Sequence, residues 1–191
     1  MQIGLFFGSF NPVHVGHMVL ANYMLSFTDL QQVWLVVSPH NPLKNKSQLL
    51  NQNDRLHLVK LAIDDHPAIR SSNIEFSLPQ PSYTIHTLAH LKEKHPEHQF
   101  SLIMGQDNLQ SFNKWKNYEE ILRQFRIYVY PRPNAAASEF DQHPAVHLTD
   151  APMMDISSTF IRTALKNKKD VRYFMPEKVW KEVDEMNFYK K

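Results

Sequence analysis

Residues 2–27 read QIGLFFGSFNPVHVGHMVLANYMLSF. The stretch opens on a short apolar run, Gln2 to Phe7, with the length and composition of a buried strand. A polar turn follows, GSFNP, and then a segment in which Val15, Met18, Val19, Ala21, Tyr23 and Leu25 supply the buried side of a helix. Gly8 suits a backbone conformation that other residues resist, and Pro12 sets one dihedral at the loop's exit. With the helix starting near Val13, His14 and His17 lie three apart on one face of its first turn. The free N–H groups there, with the helix dipole, favour an anion, and Gly16 leaves room for a ligand to approach the backbone. Two imidazoles at a helix N-terminus therefore make a candidate phosphate cradle. No carboxylate is interleaved as in His-Glu-x-x-His, so no protein metal site is expected. The spacing is not Gly-x-Gly-x-x-Gly, and no Walker lysine follows.

Working outward, apolar runs alternate with helical segments. QVWLVVS (Gln32 to Ser38) is a strand and HNPLKNKSQLL a loop; DRLHLVKLAIDD is a helix capped by Asn53 or Asp54 and ended by Pro67. IEFS reads as a short strand, and Ser82 as the cap of the helix YTIHTLAHLKEKH. QFSLIMG is a buried strand, NYEEILRQF a short helix, RIYVYPR a strand, RPNAAASEFDQH a loop and AVHLTD a last strand. ISSTFIRTALKN is a helix, Val171 to Met175 is extended, and PEKVWKEVDEMNFY is a terminal helix with Pro176 in its first turn. Strand, helix, strand, helix implies parallel pairing with right-handed crossovers. Continuous apolar strands imply a sheet covered on both faces. The fold class is an open, doubly wound, mostly parallel α/β sheet, in which ligands bind at the carboxyl ends of the strands, where the strand order reverses. The turn after the first strand lies on that edge.

The chain has 191 residues, a formal net charge of +2, eleven histidines and no cysteine. That length suits one domain over residues 1–191, with residues 151–191 as a helical segment. The missing cysteines exclude disulfides, thiolate catalysis and cysteine-based zinc sites. The small charge does not call for nucleic acid, and KNK (Lys44 to Lys46) and KNKK (Lys166 to Lys169) read as solvated loops. No apolar stretch approaches the ~20 residues of a membrane span. A cytoplasmic protein is expected, with a homo-oligomer left open.

GSFNPVHVGH resembles the GxFxPxHxGH signature of the nucleotidyltransferase superfamily. ISSTFIR, Ile156 to Arg162, resembles that superfamily's SSTxIR segment. In the latter, Ser157 or Ser158 can cap a helix whose N–H groups face an anion, and Arg162 adds a fork of donors. SPHNPLK, PSYTIHTL, IMGQDNLQSFNKWKNYEEIL and YPRP resemble, in order, segments of the bacterial nicotinate-nucleotide adenylyltransferases. The sequence departs from that pattern at Phe7, where many members have glycine, at His86, where an acidic residue is common, and in NPLK, which replaces PPHK.

The resemblance implies a Rossmann-like fold and transfer of AMP from ATP to nicotinate mononucleotide, giving deamido-NAD and pyrophosphate, with Mg²⁺ bound mainly through the ATP phosphates. It implies that His14, His17 and Arg162 are catalytic. The ATP site would comprise Gly8, Ser9, Phe10, His14, His17, Gly105, Asp107, Ser157, Ser158 and Arg162. The mononucleotide would meet Asn11, Lys44, Tyr83, Thr84, Trp115 and Lys116, with the indole of Trp115 on the pyridine ring. Main-chain donors near Thr84 and Lys116 would prefer the acid over the amide form. A same-fold enzyme acting on nicotinamide mononucleotide or phosphopantetheine, and a catalytically silent nucleotide sensor, are the competing readings. His86 and His90 read as a surface helix face, His95, His98 and His143 as loop residues, and Trp180, Val183 and Met186 as an apolar stripe facing the core.

Overall fold

The computed structural model describes residues 1–39 and 49–190. Six parallel strands form one sheet: β1 (Gln2–Gly8), β2 (Gln32–Val37), β3 (Ile69–Ser72), β4 (Gln99–Gly105), β5 (Arg126–Tyr130) and β6 (Val146–Leu148). Their order across the sheet is β3-β2-β1-β4-β5-β6. The order reverses between β1 and β4, which pair from Gln2 with Gln99 to Phe6 with Ile103. A crevice must open at their carboxyl ends, because the crossovers leave these two strands in opposite directions.

Among the described residues, seven helices accompany the sheet: α1 (Val15–Phe27), α2 (Gln52–Ile63), α3 (Thr84–Lys94), α4 (Gln106–Leu109), α5 (Tyr118–Gln124), α6 (Ser158–Lys166) and α7 (Glu177–Glu185). Side chains alternate along each strand, so each face has its own core. Phe6, Val33, Leu35 and Tyr128 pack against Met24 of α1, Leu58 of α2, Ile161 of α6 and Val179 and Val183 of α7. Ile3, Leu5, Leu102, Ile127 and Val129 pack on the other side against Leu88 and Leu91 of α3 and Ile121 of α5.

Local departures from the sequence reading have local causes. IEFS is a 3-10 turn, Ile74–Ser77, and the strand is the preceding IRSS. Among the described residues that strand pairs only with β2, and an edge position admits a polar run with no apolar signature. The cap of α2 is Asn51, whose side chain accepts from the Asn53 N–H at 2.9 Å. α3 starts at Thr84 with Tyr83 as its cap residue. The Ser82 hydroxyl bonds the buried carboxylate of Glu75 instead, as do those of Ser38 and Thr87; burial holds that carboxyl above its usual range. Residues 172–174 form a 3-10 turn. Val183 is fully buried, but Met186 is 56% exposed, so the apolar stripe of α7 ends before it.

One side chain ties the upper loops to this frame. Arg55, in the first turn of α2, is 0% exposed. Its Nε donates to the Leu50 carbonyl at 2.9 Å, Nη1 to those of Ser9 at 2.6 Å and Ser38 at 2.8 Å, and Nη2 to that of Pro39 at 2.8 Å. No carboxylate pairs with it among the described residues; four carbonyl dipoles replace its water. Removing a buried charge from partners built around it costs ~3 kcal/mol or more. Arg55→Met is therefore expected to lose at least that much in urea unfolding, or to fail to fold. Arg70→Met, at an exposed position, should stay within ~0.5 kcal/mol of the parent.

Candidate active site

The turn after β1 is shaped by side-chain space. Gly8 is not in the left-handed region, since no glycine has positive φ; that conformation falls to Phe10, at φ 45. Gly8 is required because a Cβ there would lie 2.8 Å from the Phe10 ring. Phe10 is buried, with its ring 5.9 Å from that of Phe6 and 5.0 Å from that of His17. Its side chain therefore serves the core beneath the loop. A Cβ on Gly16 would lie 3.1 Å from His14 Nδ1, so the space at Gly16 holds an imidazole.

α1 begins at Val15, two residues later than the sequence suggests, and His14 is its cap residue. The two imidazoles still converge, with ring centroids 3.7 Å apart. His17 Nδ1 accepts from the His14 N–H at 3.2 Å, which places the His17 proton on Nε2. His14 is 6% exposed, and its Nδ1 is buried without a hydrogen-bond partner. Burial first, and the charge of Arg132 second, push its pKa down to about 4. His14 is a neutral imidazole near pH 7.

The SSTFIR segment meets this turn across most of the chain. Ser157 caps α6, accepting from the Phe160 N–H at 3.1 Å. Ser158 Oγ donates to the Pro12 carbonyl at 2.9 Å, 146 residues away in sequence. Arg162 Nη1 donates to the Asn11 carbonyl at 2.8 Å, and Nη2 to Thr159 Oγ1 at 3.4 Å. Both serine hydroxyls are thus used within the scaffold; Ser157 caps the Phe160 N–H, and the N–H groups of Ser158 and Thr159 have no intrahelical acceptor. Asn11 is buried; its Oδ1 accepts from the Leu50 N–H at 3.1 Å and the Tyr189 hydroxyl at 2.8 Å.

Across the switch point, Gly105 ends β4 and Asp107 lies in α4. A Cβ on Gly105 would clash with Asp107 Oδ1 and come within 3.1 Å of Arg132 Cγ. Arg132 Nε stands 3.6 Å from Asp107 Oδ1. The sequence reading left Arg132 and Tyr189 outside the site. An arginine and proline directly after a strand's carboxyl end signalled the first; Tyr189 lies beyond α7, with no local signal.

Tyr83, Thr84, Trp115 and Lys116 form a second group. Lys116 Nζ sits 4.5 Å over the Tyr83 ring, joining the two segments. Trp115 is half-buried against Phe112, with ring centroids 5.2 Å apart. Thr84 is the first residue of α3, where a main-chain N–H has no helical partner. Lys44 and His40 lie outside the described residues. The described residues that could together hold a metal are His95, Glu97 and His98. They stand just before β4, at the opposite end of the sheet from the crevice, and His98 Nδ1 lies 3.3 Å from Glu97 Oε1.

The depressed pKa of His14 makes stability depend on pH. Between about 4 and the ordinary histidine value of 6.5, the unfolded chain binds a proton at His14 that the folded chain does not. Stability should therefore be fully present above pH 6.5 and fall as the pH drops toward 4, by about 3 kcal/mol from this group. Urea unfolding of parent and His14→Asn across that range should show a shallower slope in the variant.

A sequence profile described as cytidylyltransferase-like matches residues 5–164. A protein of Flavobacterium psychrophilum named "Probable nicotinate-nucleotide adenylyltransferase" is 56% identical over the whole of both chains. One of Bacteroides fragilis with the same name is 49% identical, over 95% of this chain and 90% of its own. The fold matches that of the Plasmodium falciparum nicotinic acid mononucleotide adenylyltransferase solved with NaAD, at a TM-score of 0.84 and 19% identity, covering 98% and 97% of the chains. With its two signature segments joined at the switch point and relatives at this identity over full length, the chain belongs to the nicotinate-nucleotide adenylyltransferase family of cytidylyltransferase-like proteins.

Proposed function

We propose that this protein transfers AMP from ATP to nicotinate mononucleotide, forming deamido-NAD and pyrophosphate as a step of NAD biosynthesis. One observation carries the reading: Ser158 and Arg162 bond the main chain of Pro12 and Asn11. This joins the two phosphate-type motifs into one surface at the carboxyl ends of β1 and β4. The curated relatives, alike over their full length, bear the matching name.

In the reaction an oxygen of the mononucleotide phosphate attacks the α-phosphorus of ATP. The bond from that phosphorus to the bridging oxygen breaks, and pyrophosphate leaves with the bond's electrons. The nucleophile belongs to the substrate, so the protein's work is alignment and charge stabilisation. His17 Nε2–H and the imidazole of His14 donate to the α-phosphate region. The first N–H groups of α6 and the remaining donors of Arg162 meet the β- and γ-phosphates. Gly8 and Ser9 supply main chain at the loop, and Gly105, Asp107 and Arg132 form the opposite wall. Tyr83, Thr84, Trp115 and Lys116 receive the pyridine ring and its carboxylate, and Lys44 the mononucleotide phosphate.

Asp107 also fits a magnesium ion. Its side chain is 53% exposed at the crevice wall, and one carboxylate with phosphate oxygens is a donor set that ion uses. When bound, magnesium neutralises part of the triphosphate charge.

Pyrophosphate release from ATP, Mg²⁺ and nicotinate mononucleotide is the test. Release should be strong with the acid and weak with nicotinamide mononucleotide, and abolished by a chelator; no release with either would overturn the reading. His17→Ala should lower kcat by about 10²-fold. Trp115→Ala should raise KM for the mononucleotide roughly tenfold, within what stacking an aromatic ring contributes. Its KM for ATP should change by less than about twofold.

A further inference from the structure

The segment after α7 turns back into the molecule. Asn187 and Tyr189 have left-handed backbone, at φ 54 and 64. Asparagine tolerates that region, whereas a tyrosine there is strained. Such strain persists only where the surroundings over-determine it. The Phe188 N–H donates to the Val183 carbonyl at 3.1 Å. Lys190 Nζ donates to Asp184 Oδ1 at 2.7 Å and to the Asp184 carbonyl at 3.1 Å. The bend these contacts hold sends the Tyr189 phenol inward, onto Asn11 Oδ1 at 2.8 Å. Asn11 in turn accepts from Leu50 through its side chain and from Arg162 through its main chain. The Tyr189 hydroxyl therefore closes a network joining the turn after β1, the chain at Leu50 and helix α6.

We propose that Tyr189 is a positioning residue for the adenylyl transfer: its hydroxyl holds Asn11, and through the Asn11 main chain it keeps Arg162 aligned on the ATP polyphosphate. This rests on the function proposed above. The Tyr189 proton is committed to Asn11 Oδ1. Burial pushes the phenol's pKa upward, so it stays a neutral donor at working pH. Phenylalanine would keep the ring's packing and leave Asn11 Oδ1 with Leu50.

The experiment compares the parent with Tyr189→Phe, Asn11→Ala and the double variant. It measures melting temperature, steady-state kinetics and calorimetric affinity for a non-hydrolysable ATP analogue. For Tyr189→Phe, kcat/KM for ATP should fall roughly tenfold with the loss shared between kcat and KM, as expected for one hydrogen bond to a site that orients a charge. KM for the mononucleotide should stay within about twofold, and the analogue should bind about threefold more weakly. In the Asn11→Ala background the same change should add no further loss. A purely structural tyrosine would lower the melting temperature and leave kcat and KM unchanged where both proteins are folded. That result, or additive losses in the double variant, would overturn the proposal. If Asn11→Ala does not fold, the kinetics of Tyr189→Phe decide alone. If the parent releases no pyrophosphate from nicotinate mononucleotide, the proposed function fails separately. Analogue affinity then decides about Tyr189, and unchanged affinity overturns its role.

Discussion

A guanidinium removed from water must find its hydrogen bonds elsewhere, and Arg55 finds them on four main-chain carbonyls. Those carbonyls belong to three stretches: Ser9 after β1, Ser38 and Pro39 after β2, and Leu50 ahead of α2. None of these stretches could hold its shape through secondary structure, because each lies beyond a strand or before a helix. A cation that prefers carbonyl oxygens on several sides draws them to one point. Arg162 repeats the device on the Asn11 carbonyl. The upper edge of the sheet is thus organised around two fixed positive charges.

Parallel pairing supplies the place where this organisation matters. β1 and β4 lie side by side although α1, β2, α2, β3 and α3 intervene in the chain. Their crossovers depart to opposite sides, so the loops above them cannot cover the gap. The glycines at the rim act by absence of a Cβ. Gly8 admits the Phe10 ring, Gly16 the His14 ring, and Gly105 the Asp107 carboxylate with Arg132. Each clears space for a neighbouring side chain that then lines or supports the crevice.

Electrostatics at the rim follow from burial more than from charge count. His14 stays neutral because it is enclosed and because Arg132 repels a second positive charge. His17 is held as the Nε2–H tautomer by the His14 main chain. The pair is prepared as hydrogen-bond donors and acceptors, while the fixed cations sit around it. Arg132 also faces Asp107.

The sequence by itself determined the doubly wound α/β class and most strands and helices, while GSFNPVHVGH and SSTFIR were associated only through the resemblance of both to one superfamily. These features are local: apolar runs, helical periodicity and fixed motif spacing survive in a linear reading. β3 was illegible because an edge strand needs no apolar pattern, and the start of α3 was misread because Ser82 bonds a buried carboxylate from another turn. Only the tertiary structure decided that Gly8 serves space and that Phe10 carries the left-handed backbone. It also decided that Asn11 is a buried junction, and that Arg55, Arg132 and Tyr189 belong around the crevice. Their partners lie far away in the chain, in the extreme 178 residues from Tyr189 to Asn11. The physical reason is that a side chain's chemistry is written at its own position, whereas its partner is chosen only when the sheet brings distant loops to one edge.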